Sequence, residues 1–323
     1  MSGMRSTALP AIILVGGQGT RLRPLTERTP KPMLPLLGRP LLAYTFDQLQ
    51  TVGVGRVVLA CGYLPTQIEA HFNGSFDGMA LEYQVEPEPR GTAGGIRFAA
   101  AGIDSTFLAL NGDSLRDVDL QALLRFHRER GAKATILLTR VEDPTRYGLV
   151  KTDDRGRVVG FREKPALHEI DTDQINAGLY VLEPEVLDLI PDGQVVSIER
   201  EVFPVLAERG EVYGLALPGY WLDVGTPESY LQAHFDLLGR RGVDIHERAQ
   251  VGAGVEFVGP VVVGPDAVIE KGARVGPLAH VGAGARIGPG AVVEWAVVLS
   301  KAMVAAATCV RSSIVAVEGV LTP

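Results

Sequence analysis

"VGAGVEFVGPVVVGPDAVIEKGARVGPLAHVGAGARIGPGAVVEWAVVLS", residues 251–300, places an apolar side chain at every sixth position. Val251, Phe257, Val263, Ile269, Val275, Val281, Ile287, Val293 and Leu299 form one series. A second, small or apolar, lies four residues later: Val255, Val261, Ala267, Ala273, Ala279, Ala285, Ala291, Val297 and Met303. Glycine follows the first series at 252, 264, 276, 282 and 288. A period of six fits neither the helix repeat of about 3.6 nor the strand repeat of about 2. It predicts a parallel β-helix, in which one large and one small inward residue per hexapeptide fill the wall and corner of a triangular coil. Nine such hexapeptides make three coils if each coil has three sides. Beyond Leu299 the pattern weakens, as expected of a terminal cap.

Upstream the pattern is different. From residue 8 to about 240, short aliphatic runs alternate with amphipathic segments. "AIILV" (11–15), "RVVLAC" (56–61), "TFLALN" (106–111) and "ATILLT" (134–139) are apolar nearly throughout and predict buried strands. Between them, helix patterns cover Leu41 to Val52, Ala93 to Ala101, and Leu120 to Arg130 behind an Asp119 N-cap. This alternation predicts βαβ units around a Rossmann-like, mixed and mostly parallel sheet. The stretch "RRGVDIHERAQ" (240–250) carries neither pattern. The expected domains are therefore 1–240 and 241–323.

The bulk composition narrows the function. A net charge of −7 over 323 residues argues against a general nucleic-acid or membrane surface, so positive charge for an anionic ligand must be local. Cys61 and Cys309 lie far apart and outside any C-x-x-C spacing, which excludes a disulfide framework and fits a reducing cytosol. The early arginine Arg5 is followed by an apolar run (Ala11 to Val15) too short for a signal segment, and no stretch approaches a membrane span. The expected location is the cytoplasm.

Local positive charge does occur, in "ILVGGQGTRLRPLTERTPKPMLP" (13–35). Gly16, Gly17 and Gly19 follow a strand, where the backbone can turn sharply and offer N–H groups to an anion. Arg21 adds a planar fork suited to phosphate oxygens and Lys31 a mobile point charge. The spacing is neither a Walker A loop nor G-x-G-x-x-G. Taken alone, these residues read more simply as a glycine turn beside solvated arginines. The same holds downstream. Asn111-Gly112 is a hairpin-turn signal, Thr92 reads as a helix N-cap, and Thr226-Pro227-Glu228 opens a helix near Asp223. Glu163 and Lys164 form a charged pair before a proline, in a loop between strands.

Together, in order, these motifs resemble the signature of the sugar-1-phosphate nucleotidyltransferases. "GGQGTRLRPLTERTPKP" is similar to their G-G-x-G-T-R-L-x-P-L-T followed by P-K-P. The likeness continues through "EPRGTAGG" (88–95), "LNGDSL" (110–115), "YGLV" (147–150), "FREKP" (161–165), "INAGLYVL" (175–182) and "YWLDVGTPESY" (220–230). The hexapeptide tail, left-handed in such families, extends it over essentially the whole chain. The resemblance implies transfer of a nucleotidyl group from an NTP to a sugar 1-phosphate, releasing pyrophosphate. It places Gly16, Gly17, Gly19, Thr20, Glu86, Gly91 and Thr92 at the nucleotide. Gly148, Glu163, Lys164, Asn176 and Gly178 fall at the sugar phosphate, and Asp113 and Asp223 at Mg²⁺. Arg21, Lys31, Asp113, Lys164 and Asp223 are the implied catalytic set; Arg23 and Arg28 read as solvated neighbours.

The segment "SIEREVFPVLAERGEVYGLALPGYWLDVGTPESYL" (197–231) looks most similar to mannose-1-phosphate guanylyltransferases, implying GTP and mannose 1-phosphate. Glucose-1-phosphate thymidylyltransferases are the runner-up, because base choice depends on a few contacts near 86–92. A nucleotide-sugar sensor without turnover is a further alternative, although such paralogues usually lose one of the five residues that stand here. His280, the one histidine within the regular repeats, raises an acyltransferase reading; a solvated histidine on the coil surface is the simpler one. The coil is expected to serve homo-oligomer assembly.

Overall fold

The structure is a computed structural model describing residues 9–239 and 241–322. Arg5 and Arg240 lie outside the described residues. The chain divides into two compact units. One comprises residues up to 17 and 44–221; the other comprises 18–43 and 222 onward. The packing units thus differ from the pattern boundary at 240, since residues 18–43 and helix Pro227–Leu238 cluster with the coil.

The first unit is built on a mixed sheet with a parallel centre. Strand Leu9–Val15 is flanked in parallel by Val54–Cys61 and Phe107–Asn111, and Met79–Val85 extends the parallel side. Gln174–Leu182 runs antiparallel against Phe107–Asn111 and leads to Gly148–Thr152 and Ala134–Arg140. Val212–Ala216 lies parallel to Ala134–Arg140. The aliphatic runs are strands because both faces are covered: Ile12, Ile13, Val57, Leu59, Leu108 and Ile136 are all buried. Helix Leu120–Arg130 begins where expected, with the Asp119 carboxylate accepting from Ala122 N–H at 3.0 Å. Two parallel strands, Leu9–Val15 and Phe107–Asn111, end side by side, joined by Gly112 N–H to Leu14 O at 3.0 Å. That edge carries the glycine loop after Val15 and the Asn111-Gly112-Asp113 turn, the position at which open α/β sheets bind ligands.

In the second unit three parallel sheets form the sides of a coil. Their strands are Val243–Ile245, Val261–Val263, Ala279–Val281, Ala296–Val298 and Ile314–Ala316 on one side. The second side holds Gln250–Val251, Val268–Ile269, Arg286–Ile287 and Met303–Val304. The third holds Glu256–Phe257, Arg274–Val275, Val292–Glu294 and Cys309–Arg311. Ala267, Ala273, Ala279, Ala285 and Ala291 stack with Val263, Ile269, Val275, Val281, Ile287 and Val293 in one buried column, as the two series predict. Strand Gly319–Leu321 turns back antiparallel on Ile314–Ala316 and closes the last side.

Two expectations about the coil require correction. It starts at Val243, inside the stretch read as patternless: Val243 and Ile245 pair with Val261 and Val263, and Ile245 stands six residues before Val251, one step ahead of the first series. The period also fails once within the repeats. Val261 sits over Ala279, a step of 18, whereas Ala279 sits over Ala296, a step of 17. The corner Gly276-Pro277-Leu278 is followed one coil later by Glu294 and Trp295 alone, with Trp295 at φ 52°. Consequently Ala296, Val298, Ala302 and Val304 point inward, and Met303 is 68 % exposed. Deleting a residue at a corner leaves both adjoining sides in register, so the coil tolerates it.

His280 is not a solvated surface residue. It lies 3 % exposed, stacked on His234 with centroids 5.2 Å apart. The Tyr230 ring and the Pro35 carbonyl also face His234, and the Arg241 charge acts on His280. Burial is the main cause that pushes His280 down to about 4 and His234 well below the ordinary imidazole range. Unfolded histidines take up a proton near pH 6.5. Between about pH 6.5 and 4 the unfolded chain therefore binds more protons than the folded one, and stability falls as pH falls through that window. Urea midpoints should drop across it in the native protein and less steeply in His280→Phe. Equal slopes would exclude the pair as the source.

Candidate active site

The segment 18–43 runs through three tight turns, Thr20–Leu22, Leu25–Glu27 and Lys31–Met33, before a short hairpin and the start of a helix. Gly19 adopts φ 60°, and its carbonyl accepts from Leu22 N–H at 2.9 Å and Thr26 Oγ1 at 2.8 Å. Gly16, Gly17, Thr20 and Arg21 are exposed; Lys31 is buried at 6 % exposure, and Arg23 and Arg28 are exposed. Lys31 Nζ lies 3.5 Å from Asp223 Oδ1. Arg21 approaches the same carboxylate. A Cβ on Gly225 would stand 2.7 Å from Arg21 Nη2 and 2.9 Å from Asp223 Oδ2, so a larger residue there would push both side-chain ends aside. Asp223 is followed by helix Pro227–Leu238, capped by Thr226 Oγ1 accepting from Ser229 N–H, as the T-P-E reading predicts. The second unit thus gathers Arg21, Lys31 and Asp223 into one cluster.

The first unit holds the other motif residues. Asp113 follows Gly112 at the sheet edge, next to a group that sequence reasoning missed. Arg116, 6 % exposed, donates from Nη2 to Asn111 O at 2.9 Å, while Nε and Nη1 have no protein partner. Burial lowers Arg116 to about 10, partly offset by the negative charge of Asp113. Nothing in "DSLRDV" signals that Arg116 is buried, because the two apolar residues of strand Ser114–Val118, Leu115 and Val118, share no face.

Glu163 lies across Gly148, whose missing Cβ would meet Glu163 Oε2 at 2.7 Å. Desolvation first, then the nearby Glu199 charge, raises the Glu163 carboxyl above its usual range, while Lys164 opposes them. Lys164 is exposed at φ 49°, its N–H bonded to Tyr147 O at 3.1 Å. Asn176 Oδ1 accepts from Gly178 N–H at 2.9 Å, and its Nδ2 donates to Tyr180 Oη at 2.9 Å. Tyr180 is core by burial, as expected, yet its hydroxyl also reaches Glu199 at 3.3 Å.

Glu199 then ties this group to the nucleotide loop. Its Oε2 accepts from Thr92 Oγ1 at 2.8 Å and Ser197 Oγ at 2.7 Å. Thr92 is therefore not the N-cap of helix Gly91–Ala99. The Val196 carbonyl accepts from Ala93 and Gly94 N–H and closes the helix start, which frees Thr92 Oγ1 to bind Glu199 and to accept from Ile198 N–H. Glu86 accepts from Arg90 N–H at 3.2 Å, and burial raises its carboxyl above the usual range. Glu199 lies in the "SIEREVFP" segment, whose likeness was legible but whose role was not.

Chemically, the chain offers one cluster of two cations on a carboxylate, and one connected polar wall running from Thr92 through Glu199 and Tyr180 to Asn176 and Gly178. Residues 10–240 match the Nucleotidyl transferase family model and 257–322 the GMPPB C-terminal domain. The mannose-1-phosphate guanylyltransferase of Mycobacterium tuberculosis is 43 % identical over 287 residues, covering 84 % of this chain and 79 % of that protein. The mannose-1-phosphate guanylyltransferase catalytic subunit beta of Drosophila pseudoobscura pseudoobscura is 39 % identical, covering 82 % and 71 %. Among solved structures, HddC from Yersinia pseudotuberculosis complexed with GMP-PN is 27 % identical with a TM-score of 0.60, covering 71 % of this chain and 99 % of that one. With 231 consecutive residues matched by the family model and a relative of this identity, the chain belongs to the nucleotidyl transferase family.

Proposed function

We propose that the protein joins GTP and mannose 1-phosphate to give GDP-mannose and pyrophosphate. The observation that carries this reading is the convergence of Arg21 and Lys31 on Asp223, because the reaction must bring several phosphates of like charge together. A sugar-phosphate oxygen attacks the α-phosphorus, that P–O bond forms, and the bond to the β-phosphate oxygen breaks in line. The nucleophile is already anionic near neutral pH, so the chain need supply no general base. Its task is positioning and charge neutralisation.

Arg21 and Lys31 neutralise the triphosphate, Lys164 neutralises the sugar phosphate, and Glu163, Asn176 and Gly178 orient the sugar hydroxyls beside Gly148. Gly16, Gly17, Gly19, Thr20, Gly91 and Thr92 receive the nucleotide. Glu86 supports guanine as the base, because a carboxylate only accepts and guanine presents donors at N1 and its 2-amino group. The named activities of the relatives support the same pairing.

Enzymes of this family generally use a divalent metal. Among the described residues no group of three or more His, Cys, Asp or Glu forms a protein cage for one. Mg²⁺ needs no such cage, since this ion takes one or two carboxylates and completes its shell with water and substrate phosphate. Asp113 and Asp223 would hold it, and when bound it would add charge neutralisation at the leaving pyrophosphate. No helix among the described residues is long and apolar enough to cross a membrane. We place the protein in the cytoplasm, divided into a catalytic domain of 1–240 and a left-handed coil of 241–323 that assembles a homo-oligomer.

The test is a substrate matrix: four NTPs against mannose, glucose and N-acetylglucosamine 1-phosphates, with pyrophosphate release as the signal. GTP with mannose 1-phosphate should give the highest kcat/KM. Preference for dTTP with glucose 1-phosphate would overturn the base and sugar assignment, and no release from any pair would overturn turnover itself.

A further inference from the structure

We propose that His234 and His280 are positioning residues for the loop that carries Arg21 and Lys31, so that one face of the coil is part of the reaction apparatus. The proposal rests on the assignment of those two cations to the phosphates. Its geometry lies wholly within the second unit.

The Pro35 carbonyl is held by two donors from helix Pro227–Leu238. Tyr230 Oη reaches it at 2.5 Å and His234 Nε2 at 3.1 Å. Little slack separates Pro35 from Lys31, because the intervening residues form a closed turn. Met33 N–H bonds Pro30 O at 2.8 Å, and Leu34 N–H bonds Lys31 O at 3.1 Å. Pro35 also opens a short hairpin with Arg39–Pro40. The same helix starts four residues after Asp223, the partner of Lys31. Both members of that ion pair are therefore referenced to one helix, the carboxylate at its N-terminus and the ammonium through Pro35.

The coil in turn holds the helix. His280 is the middle residue of strand Ala279–Val281, flanked by the inward Ala279 and Val281, so its ring faces out of the coil and stacks on His234 at an interplanar angle of 26°. Trp295, at the shortened corner, meets Phe235 of the same helix edge to face at 6.0 Å. The coil does not itself require a histidine here: the residues in register with His280 on the coils before and after are Val262 and Val297. Nor does stability account for the pair. Nδ1 of both rings is buried without a partner, a cost that an apolar pair would avoid. What the pair supplies is a rigid aromatic contact on the coil side and an N–H aimed at Pro35 on the loop side. To donate to the Pro35 carbonyl His234 must carry its proton on Nε2, and its Nδ1 has no hydrogen-bond partner.

The experiment uses the full-length chain with His280→Val, His280→Phe, His234→Leu and His234→Gln. His280→Val installs the residue that the neighbouring coils already carry. It should lower kcat/KM for GTP by roughly 10- to 100-fold, the range expected when a charged group is misplaced by about an ångström. KM for mannose 1-phosphate at saturating GTP should stay within about twofold, since Glu163 and Lys164 belong to the other unit. His280→Phe, which keeps a ring to stack, should recover most of the loss. His234→Gln, which keeps a donor, should exceed His234→Leu. Backbone amides of residues 18–43 should exchange hydrogen faster in His280→Val than in the native protein, a reading that needs no turnover.

Native kcat and KM in His280→Val, with unchanged exchange over 18–43, would overturn the proposal. If His280→Val does not fold, the His234 pair decides, and equal GTP kinetics for Leu and Gln count against it. If the native protein turns over no NTP, the functional reading fails, and the exchange comparison still decides this one.

Discussion

Lys31→Met should lower kcat about 10²- to 10³-fold, the scale seen when one preorganised charge donor is removed from a transition state. The side chain is buried and its ammonium is 3.5 Å from Asp223, so methionine fills the space without the charge. The fold should survive, because the turn from Pro30 to Leu34 is closed by backbone bonds rather than by the lysine head group. Some stability should be lost, since Asp223 keeps its charge with one cation fewer, but its side chain is 24 % exposed and water limits that cost. Steady-state pyrophosphate release and a thermal melt separate the two effects. Lys31→Arg should recover little, because a planar fork does not replace a point charge in a packed turn. A methionine variant within about threefold of native kcat would remove Lys31 from the phosphate site.

Asp113→Asn should have an effect of similar or larger size, about 10³-fold, if its carboxylate holds the divalent ion; that is roughly 4 kcal/mol of transition-state stabilisation. It should also lower stability, and by more than Lys31→Met does. Arg116 is buried beside Asp113 with two of its nitrogens, Nε and Nη1, unpartnered, so removing the neighbouring negative charge leaves a guanidinium poorly compensated. A loss of about 1–3 kcal/mol is expected for such a group. The double variant Asp113→Asn, Arg116→Met should recover that stability and none of the turnover. Melting curves read the first statement and pyrophosphate release the second. A fully active Asp113→Asn protein would falsify the metal assignment.

Features governed by short-range chemistry were legible in the chain. The Asp119 and Thr226 caps follow from side chains that reach a backbone N–H two or three residues ahead. The buried strands follow from unbroken aliphatic runs, and the coil from its period. Thr92 was misread because its hydroxyl had a distant partner: Val196 and Glu199, over 100 residues away, took the cap and the side chain respectively. His280 was misread for the same reason, since the coil alone presents it outward and only helix Pro227–Leu238 buries it.

The sequence by itself determined that a parallel-centred sheet precedes a triangular coil, and which residue types stand at the family's motif positions. It did so because hydrophobic period and motif order are written locally. Tertiary structure decided which of those residues share an environment. Arg21, Lys31 and Asp223 meet across some 200 residues of chain. Arg116 lies buried beside Asp113, and Glu199 bridges Thr92 to Tyr180. The corner at Trp295 shifts the final coils by one residue. Each of these depends on burial and on partners remote in sequence, and neither is encoded in the neighbours of the residue concerned.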